Sequence, residues 1–333
     1  MKIAILSVTK KGQLLSEYLR SILIKDSLII KTDLYHKNVK STINNIFNDY
    51  DAIIGIMSTG ILIRSIANNI KSKSLDPAVL SIDEKGEFVI SLLSGHLGGA
   101  NNLTLKISKI INATPVITTA TDVNNKLAVD TLANKFYWRI NNIKDIKIFN
   151  SAILNEEEIQ LFVNLKQKKY LKNFLKNNNE IKLIVNNNDN NEIIAKYGNN
   201  QMRIISQKMV IGIGAKKNIS KEKVMHAVKN ACNQLNININ RIDSLATADI
   251  KQNEKGIIQT SKELNLPLNI IKTLDIKNFK CDDCTKSKFV EKTIGAYGVC
   301  EPSALLTIGN NAKLIYKKTA FNGVTIAIAI SQN

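Results

Sequence analysis

At 333 residues, with 44% apolar and 22% charged residues, the chain exceeds what one hydrophobic core organises and lies far from disordered compositions, so two or three folded domains are expected. No apolar run reaches the roughly 18 residues of a membrane span, and the first, Ile3 to Val8, is too short for a signal-peptide core, so a cytoplasmic protein is expected, with no membrane partner. The net charge of +18 rests on lysine, with five arginines and 5% aromatics, a mixture that argues against nucleic acid as a partner; a carboxylate-rich ligand, solubility or a coding bias toward Ile, Asn and Lys each accounts for it.

In chain order, the apolar runs Ile3–Leu6, Asp51–Ile56, Ala78–Ile82, Phe88–Ile90 and Val116–Ile117 read as strands buried on both faces. Between them Leu14–Ile24, Val39–Tyr50, Ile61–Ile70 and Leu103–Ile111 carry helical spacing, so residues 1–140 form an open βα-alternating, mostly parallel sheet domain of α/β class. Pro77, Pro115 and Pro267 each stand just before a strand run, where a fixed φ opens an extended segment.

Residues 141–206 change texture. Asparagine runs (177–179, 186–188) interrupt the short apolar pieces 159–163, 181–185 and 192–196, which reads as a small, linker-like middle domain with nothing catalytic in it. A second α/β domain, 207–333, opens with the strand Met209–Gly214 and a crossover helix N-capped by Ser220. Further strands are expected at 244–246, 268–271, 314–316 and 324–330, the last apolar enough to be central.

Three glycine- or hydroxyl-rich turns follow strands of the first domain. Ser94-Gly95-His96-Leu97-Gly98-Gly99-Ala100-Asn101 leads into a helix, and its glycines leave backbone N–H groups for a carboxylate or phosphate, unless it is only a tight, capped turn. His96 at the mouth of such a site is placed for proton transfer. Thr118 to Asp122 ends another strand and offers Thr119, Thr121 and Asp122, the last a base or acceptor, or else the N-cap of a helix over 127–132. Ser58-Thr59-Gly60, with Arg64 one turn on, is the third, and the three turns are expected to converge on one rim.

The C-terminal region offers Thr247 and Asp249 after one strand, and Glu301 and Ser303 at a helix start with Pro302 at its first position. Gly212-Ile213-Gly214 lacks the third glycine of a dinucleotide fingerprint, since Lys217 stands there, so no nicotinamide cofactor is expected. Four cysteines are too few for a disulfide framework. Cys281 and Cys284 have zinc-ligand spacing without a second pair, leaving a metal site or a solvated loop, and Cys300 is a nucleophile or a buried small hydrophobe.

The segments LLSGHLGGAN (92–101), TTATD (118–122), LATAD (245–249) and GAYGVCEPSALL (295–306), in that order, resemble the cobalt-precorrin-5A hydrolase (CbiG-type) family of anaerobic cobalamin biosynthesis, archaeal in flavour. The resemblance implies opening of the ring A δ-lactone and release of C20 with its methyl group as acetaldehyde, giving cobalt-precorrin-5B. It also implies an anionic cobalt-corrinoid substrate, no protein-bound cofactor because cobalt arrives with that substrate, no protein metal site, and contacts with other cobalamin-pathway enzymes. A free-standing relative of the C-terminal domain occurs in the aerobic pathway, which needs no acetaldehyde loss, so the chemistry is expected in the N-terminal domain. His96 or Asp122 is then expected to move protons. Ser58, Thr59, Gly60, Arg64, Ser94, Gly95, Gly98, Gly99, Asn101, Thr119, Thr121, Thr247, Asp249, Glu301 and Ser303 are expected to hold the substrate, the Gly98 and Gly99 amides facing an oxyanion or a propionate. The competing reading is a non-catalytic corrinoid carrier.

Overall fold

The computed structural model describes residues 1–73, 75–186, 191–288, 291, 292 and 295–332. Two compact units divide the chain, the first holding Met1–Phe162, Leu175–Ile184 and Glu192–Ile205, the second Val163–Phe174, Val185–Asn191 and Ser206–Asn333. Among the described residues no helix is long and apolar enough to cross a membrane.

In the first unit β1 (Lys2–Ser7), α1 (Lys10–Leu23), β2 (Lys31–His36), α2 (Val39–Ile46), β3 (Ala52–Ile56), α3 (Thr59–Ile66), β4 (Ala78–Ile82), β5 (Phe88–Leu93), α4 (Ala100–Ile111) and β6 (Thr114–Val116) follow one another. The six strands form one sheet in the order β2-β1-β3-β4-β5-β6. Alternate residues of the apolar strands feed two cores. Ile3, Ile5 and Ile54 pack with Leu19 and Leu23 of α1 and Ile107 of α4 on one face, while Ala4, Leu6 and Ile53 pack with Ile43 of α2 and Leu62 of α3 on the other. Burial of each such Ile or Leu favours folding by roughly 1.5–3 kcal/mol, which is why both faces of these strands are mainly apolar. β2 escapes that pattern: Lys-Thr-Asp-Leu-Tyr-His is an edge strand with only Thr32 buried. Pro115 lies inside β6 rather than before it, tolerated because β6 is the other edge.

β1 to β4 are parallel, but β5 runs antiparallel to β4 and β6 runs parallel to β5. A hairpin causes the reversal. Asp83 accepts from the amides of Lys85 (3.0 Å) and Phe88 (2.7 Å), and Gly86 takes a φ of 74° that other residues rarely adopt. The carboxyl ends of β5 and β6 therefore open on the opposite edge of the sheet from those of β1 and β3.

The chain continues through α5 (Ala120–Val123), α6 (Val129–Phe136), β7 (Trp138–Ile140), α7 (Ile146–Leu154), β8 (Ile159–Val163), α8 (Leu165–Phe174), β9 (Ile181–Val185), β10 (Glu192–Tyr197) and β11 (Asn200–Ser206). Their strands make a second sheet, β7-β11-β10-β8-β9, in which β10 pairs antiparallel with β8 and β11. The linker-like texture expected for 141–206 is thus a sheet whose strands alternate, with Ile159, Leu161 and Val163 buried between more exposed neighbours. Part of the asparagine run at 186–188 lies outside the described residues.

The second unit contains β12 (Met209–Ala215), α9 (Lys221–Gln234), β13 (Ser244–Ala248), α10 (Lys255–Leu264), β14 (Leu268–Ile271), α11 (Thr273–Asn278), α12 (Cys300–Ile308), β15 (Ala312–Phe321) and β16 (Val324–Ser331). The order is β14-β13-β12-β16-β15, with β16 interior and antiparallel to both neighbours. Ser220 caps α9 as expected, accepting from the Lys223 amide. Gly212 serves packing: a Cβ there would drive into the Cys300 carbonyl at the start of α12. Pro302 is the third residue of that helix rather than the first, still within the turn whose amides need no helical partner.

Candidate functional site

The loop after β5 is shaped by its glycines. Gly99 takes a φ of 83°, and a Cβ on Gly95 would come within 2.8 Å of Asn101 Oδ1. Ser94, itself at a φ of 57°, donates from its hydroxyl to the Asp76 carbonyl at 3.0 Å. The Gly99 amide is turned onto the His96 carbonyl (3.0 Å), and those of Ala100 and Asn101 onto Ser94 (3.1 Å) and Gly95 (3.0 Å). The Gly99 N–H, expected to face an anion, here closes the turn. The Gly98 amide makes no hydrogen bond to the chain among the described residues.

The loop presents His96 between two carboxylates. Nε2 lies 2.6 Å from Asp122 Oδ2 and Nδ1 lies 3.1 Å from Asp130 Oδ2, with the Thr121 hydroxyl 3.3 Å from Nε2. Asp122 stands just beyond β6, and Asp130 in the first turn of α6. Exposure separates the three: the side chains of His96, Asp122 and Asp130 are 9%, 36% and 6% accessible. Asn101 binds the array from below, donating to Asp122 Oδ2 at 3.0 Å and to the Thr119 hydroxyl at 2.7 Å, while its own Oδ1 accepts from Ser91 at 2.6 Å. Both hydrogen bonds to Asp122, from His96 and from Asn101, fall on Oδ2, and among the described residues none falls on Oδ1.

Burial works against the charged imidazole, but Asp130 and then Asp122 outweigh it and hold the His96 pKa above its ordinary value. Burial likewise favours the neutral form of Asp130, yet His96, with help from Asn150, keeps it below the usual carboxylate range. The three form an imidazole held between one buried carboxylate and one open to solvent, which favours its protonated form, an arrangement able to take and return a proton at Asp122. Asp122 does not cap the helix over 127–132, since α6 begins at Val129 behind Ala128.

The third turn is elsewhere. Ser58, Thr59, Gly60 and Arg64 follow β3, whose carboxyl end pairs through β4 with the start of β5, so they occupy the opposite edge from His96 and Asp122. Five residues of strand separate the two edges by about 16 Å. The expected single rim is therefore two rims, because the β4–β5 hairpin reverses the chain. On the far edge Thr59 meets the Ser81 hydroxyl at 3.1 Å, and Arg64 folds back over Gly60.

In the second unit Thr247, Glu301 and Ser303 are wholly buried. Thr247 donates to the Ile213 carbonyl at 2.8 Å, and Glu301 accepts from the amides of Thr285 (2.7 Å) and Lys318 (2.9 Å). Thr247 and Glu301 thus spend their polar atoms on the fold itself, and the structure brings none of the three together with His96 and Asp122. Asp249 accepts from the Thr273 amide at 3.1 Å and from its hydroxyl. Cys300 is buried and its thiol pushed up to about 12 by that burial, which leaves it a core residue. Cys281 and Cys284 are joined in a disulfide and so offer no thiolate to a metal. Among the described residues no group of three or more His, Cys, Asp or Glu could hold a metal ion.

Asp130, Asn134 and Asn150 were not legible as site residues. Asn134 donates to the Leu97 carbonyl at 2.9 Å, and Asn150 to Asp130 Oδ1 at 2.9 Å. A lone Asp or Asn in an amphipathic helix carries no local signal of what it faces.

Three family descriptions match the chain: "Cobalamin synthesis G N-terminal" over residues 41–122, "Cobalamin biosynthesis central region" over 127–204 and "Cobalamin synthesis G C-terminus" over 209–329. The chain is 35% identical to the "Probable cobalt-precorrin-5A hydrolase" of Methanocaldococcus jannaschii, over 99% of both chains. It is 28% identical to the cobalt-precorrin-5A hydrolase of Priestia megaterium, over 89% of this chain and 83% of that one. A solved cobalamin biosynthesis protein G homologue from Sulfolobus solfataricus superposes with a TM-score of 0.59 at 28% identity, covering 99% of this chain and 97% of the other.

Proposed function

The chain belongs to the cobalt-precorrin-5A hydrolase family, and from that membership we propose that Asp122 and His96 form its reaction centre. Its activity is that of a cobalt-precorrin-5A hydrolase, and hydrolase relatives in an archaeon and a bacterium favour a catalyst over a carrier. The observation that carries the residue assignment is the 2.6 Å contact between His96 Nε2 and Asp122 Oδ2 at an edge where Asp122 remains 36% exposed.

Opening the ring A lactone requires a water made nucleophilic at the acyl carbon and a proton for the departing C20 oxygen. Asp122, through Oδ1, takes the water proton and returns it to C20 oxygen, while the Gly98 amide faces the developing oxyanion. Asp122 then takes the C20 hydroxyl proton; the carbonyl of acetaldehyde forms as the bond from C20 to the macrocycle breaks, its electron pair entering the conjugated ring, which a proton then neutralises. His96 fixes the carboxylate and balances its charge throughout. The cobalt belongs to the substrate, and these steps need water and proton transfer alone from the protein. The acid side arms of the corrinoid suit a chain of net charge +18, and neither nucleic acid nor a membrane enters this reading; contacts with neighbouring enzymes of the pathway belong to it.

Anaerobic incubation with cobalt-precorrin-5A, with acetaldehyde trapped as a hydrazone, tests it. Stoichiometric hydrazone from the wild type and a loss of at least about 100-fold in the rate for His96→Ala are expected. Bound pigment without acetaldehyde would mark a carrier.

A further inference from the structure

We propose that Asp130 of α6 is a positioning residue for the reaction centre, holding His96 as an oriented imidazolium against Asp122, so that the centre is completed from outside the segment that contains His96 and Asp122. The inference rests on the reading of His96 and Asp122 given above and deepens it.

The geometry has three parts. The Asp130 carboxylate is 6% exposed and lies 3.1 Å from His96 Nδ1, the nitrogen opposite the one that meets Asp122. Its other oxygen is fixed by Asn150 of α7, which donates from Nδ2 at 2.9 Å and accepts from the Val129 amide at 3.0 Å on Oδ1. The array therefore runs Asn150, Asp130, His96, Asp122, each member held by the next, and ends at the one carboxylate that solvent reaches.

A structural role alone explains this arrangement poorly. An acid in the first turn of a helix stabilises the dipole from an exposed position, whereas a buried carboxylate is costly unless a cation and hydrogen bonds meet it. Here the cation is the His96 imidazolium. The charged groups facing the imidazole are Asp122 from α5 and Asp130 from α6; α4 contributes the neutral Asn101, which reaches Asp122. Each ring nitrogen faces a carboxylate, and a neutral ring, with one N–H, can donate to only one of the two. In the family descriptions the N-terminal segment ends at residue 122 and the central one begins at 127, so Asp130 and Asn150 come from the central segment.

The test follows His96 in the full chain. The protein has three histidines, so selective 15N labelling gives three imidazoles, and His96→Ala identifies the relevant one. Asp130→Asn should move the His96 titration to lower pH, lower kcat about 10- to 100-fold with little change in KM, and shift the alkaline limb of the kcat profile by the same amount as the titration. Asp130→Glu, which restores the charge, should recover most of that shift. An unchanged titration in Asp130→Asn overturns the proposal, as does a lower kcat whose pH limb stays in place. Should Asp130→Asn fail to fold, the wild-type titration decides: a His96 midpoint at or below the ordinary histidine value contradicts the proposal, and one above it supports it. If His96→Ala and Asp122→Asn keep full acetaldehyde release while Asp130→Asn still moves the titration, the reaction-centre reading fails and the array stands as a charge-positioning device.

Discussion

At residue scale the proposed chemistry turns on the ionisation of a single ring, that of His96. His96 is 9% exposed, and a neutral imidazole would be the ordinary outcome of such burial, but the carboxylates of Asp130 and Asp122 reverse it. Its pKa is raised, so the imidazolium is complete below the usual histidine value and is lost only as pH rises through the higher native value. Activity that depends on this cation should therefore fall as pH rises, with an alkaline limb above the ordinary imidazole value in a kcat profile at saturating substrate. A limb at or below that range would mean that the neutral ring is the working form. The same sign governs stability: the contribution of the paired imidazolium is greatest at low pH and fades through the same window, whereas that of Asp130, whose pKa is lowered, is lost as pH falls through its native value.

At the scale of elements, glycine positions record close approach as often as ligand contact. Gly212 lies in β12 under the start of α12, where any side chain meets the Cys300 carbonyl. Backbone cannot yield as a flexible side chain does, so Gly212→Ala should cost about 3 kcal/mol or more, measured by urea unfolding of the purified protein; a cost below about 1 kcal/mol would mean that α12 slides aside. What the sequence disclosed about such elements follows from how each is buried. β1, β3, β4 and β12 are covered on both faces and show as mainly apolar runs, and the glycine-rich turn with His96 announces itself by residue type. β2, β7 and β11 are edge, short or alternating strands whose residues could equally be loop, and they were missed. The direction of β5 was hidden for another reason. An apolar strand reads the same either way, and only the Asp83–Gly86 hairpin, an unremarked Asp-Glu-Lys-Gly, determines which edge its loop reaches. That one reversal moved Ser58, Thr59, Gly60 and Arg64 to the far edge, away from His96. Asp130 was illegible because its partner is 34 residues away in sequence, a separation that only the folded chain closes.

At the scale of the molecule, the two edges of the first sheet compete for the role of reaction centre. One carries the Asp130, His96, Asp122 array, fed by β5, β6 and α6; the other carries Arg64, Gly60 and the Thr59–Ser81 pair at the ends of β3 and β4. Strands about 16 Å long separate them, so a single reacting lactone meets one of the two only. The proposed chemistry lies at the first edge. The rate of acetaldehyde release from cobalt-precorrin-5A by Asp122→Asn and by Arg64→Ala, each compared with wild type under saturating substrate, tests that assignment most directly. A loss of at least about 100-fold is expected in the first, and a rate within about twofold of wild type in the second, in line with a surface substitution away from the site. The reverse order, with Arg64→Ala inactive and Asp122→Asn near wild type, would contradict it.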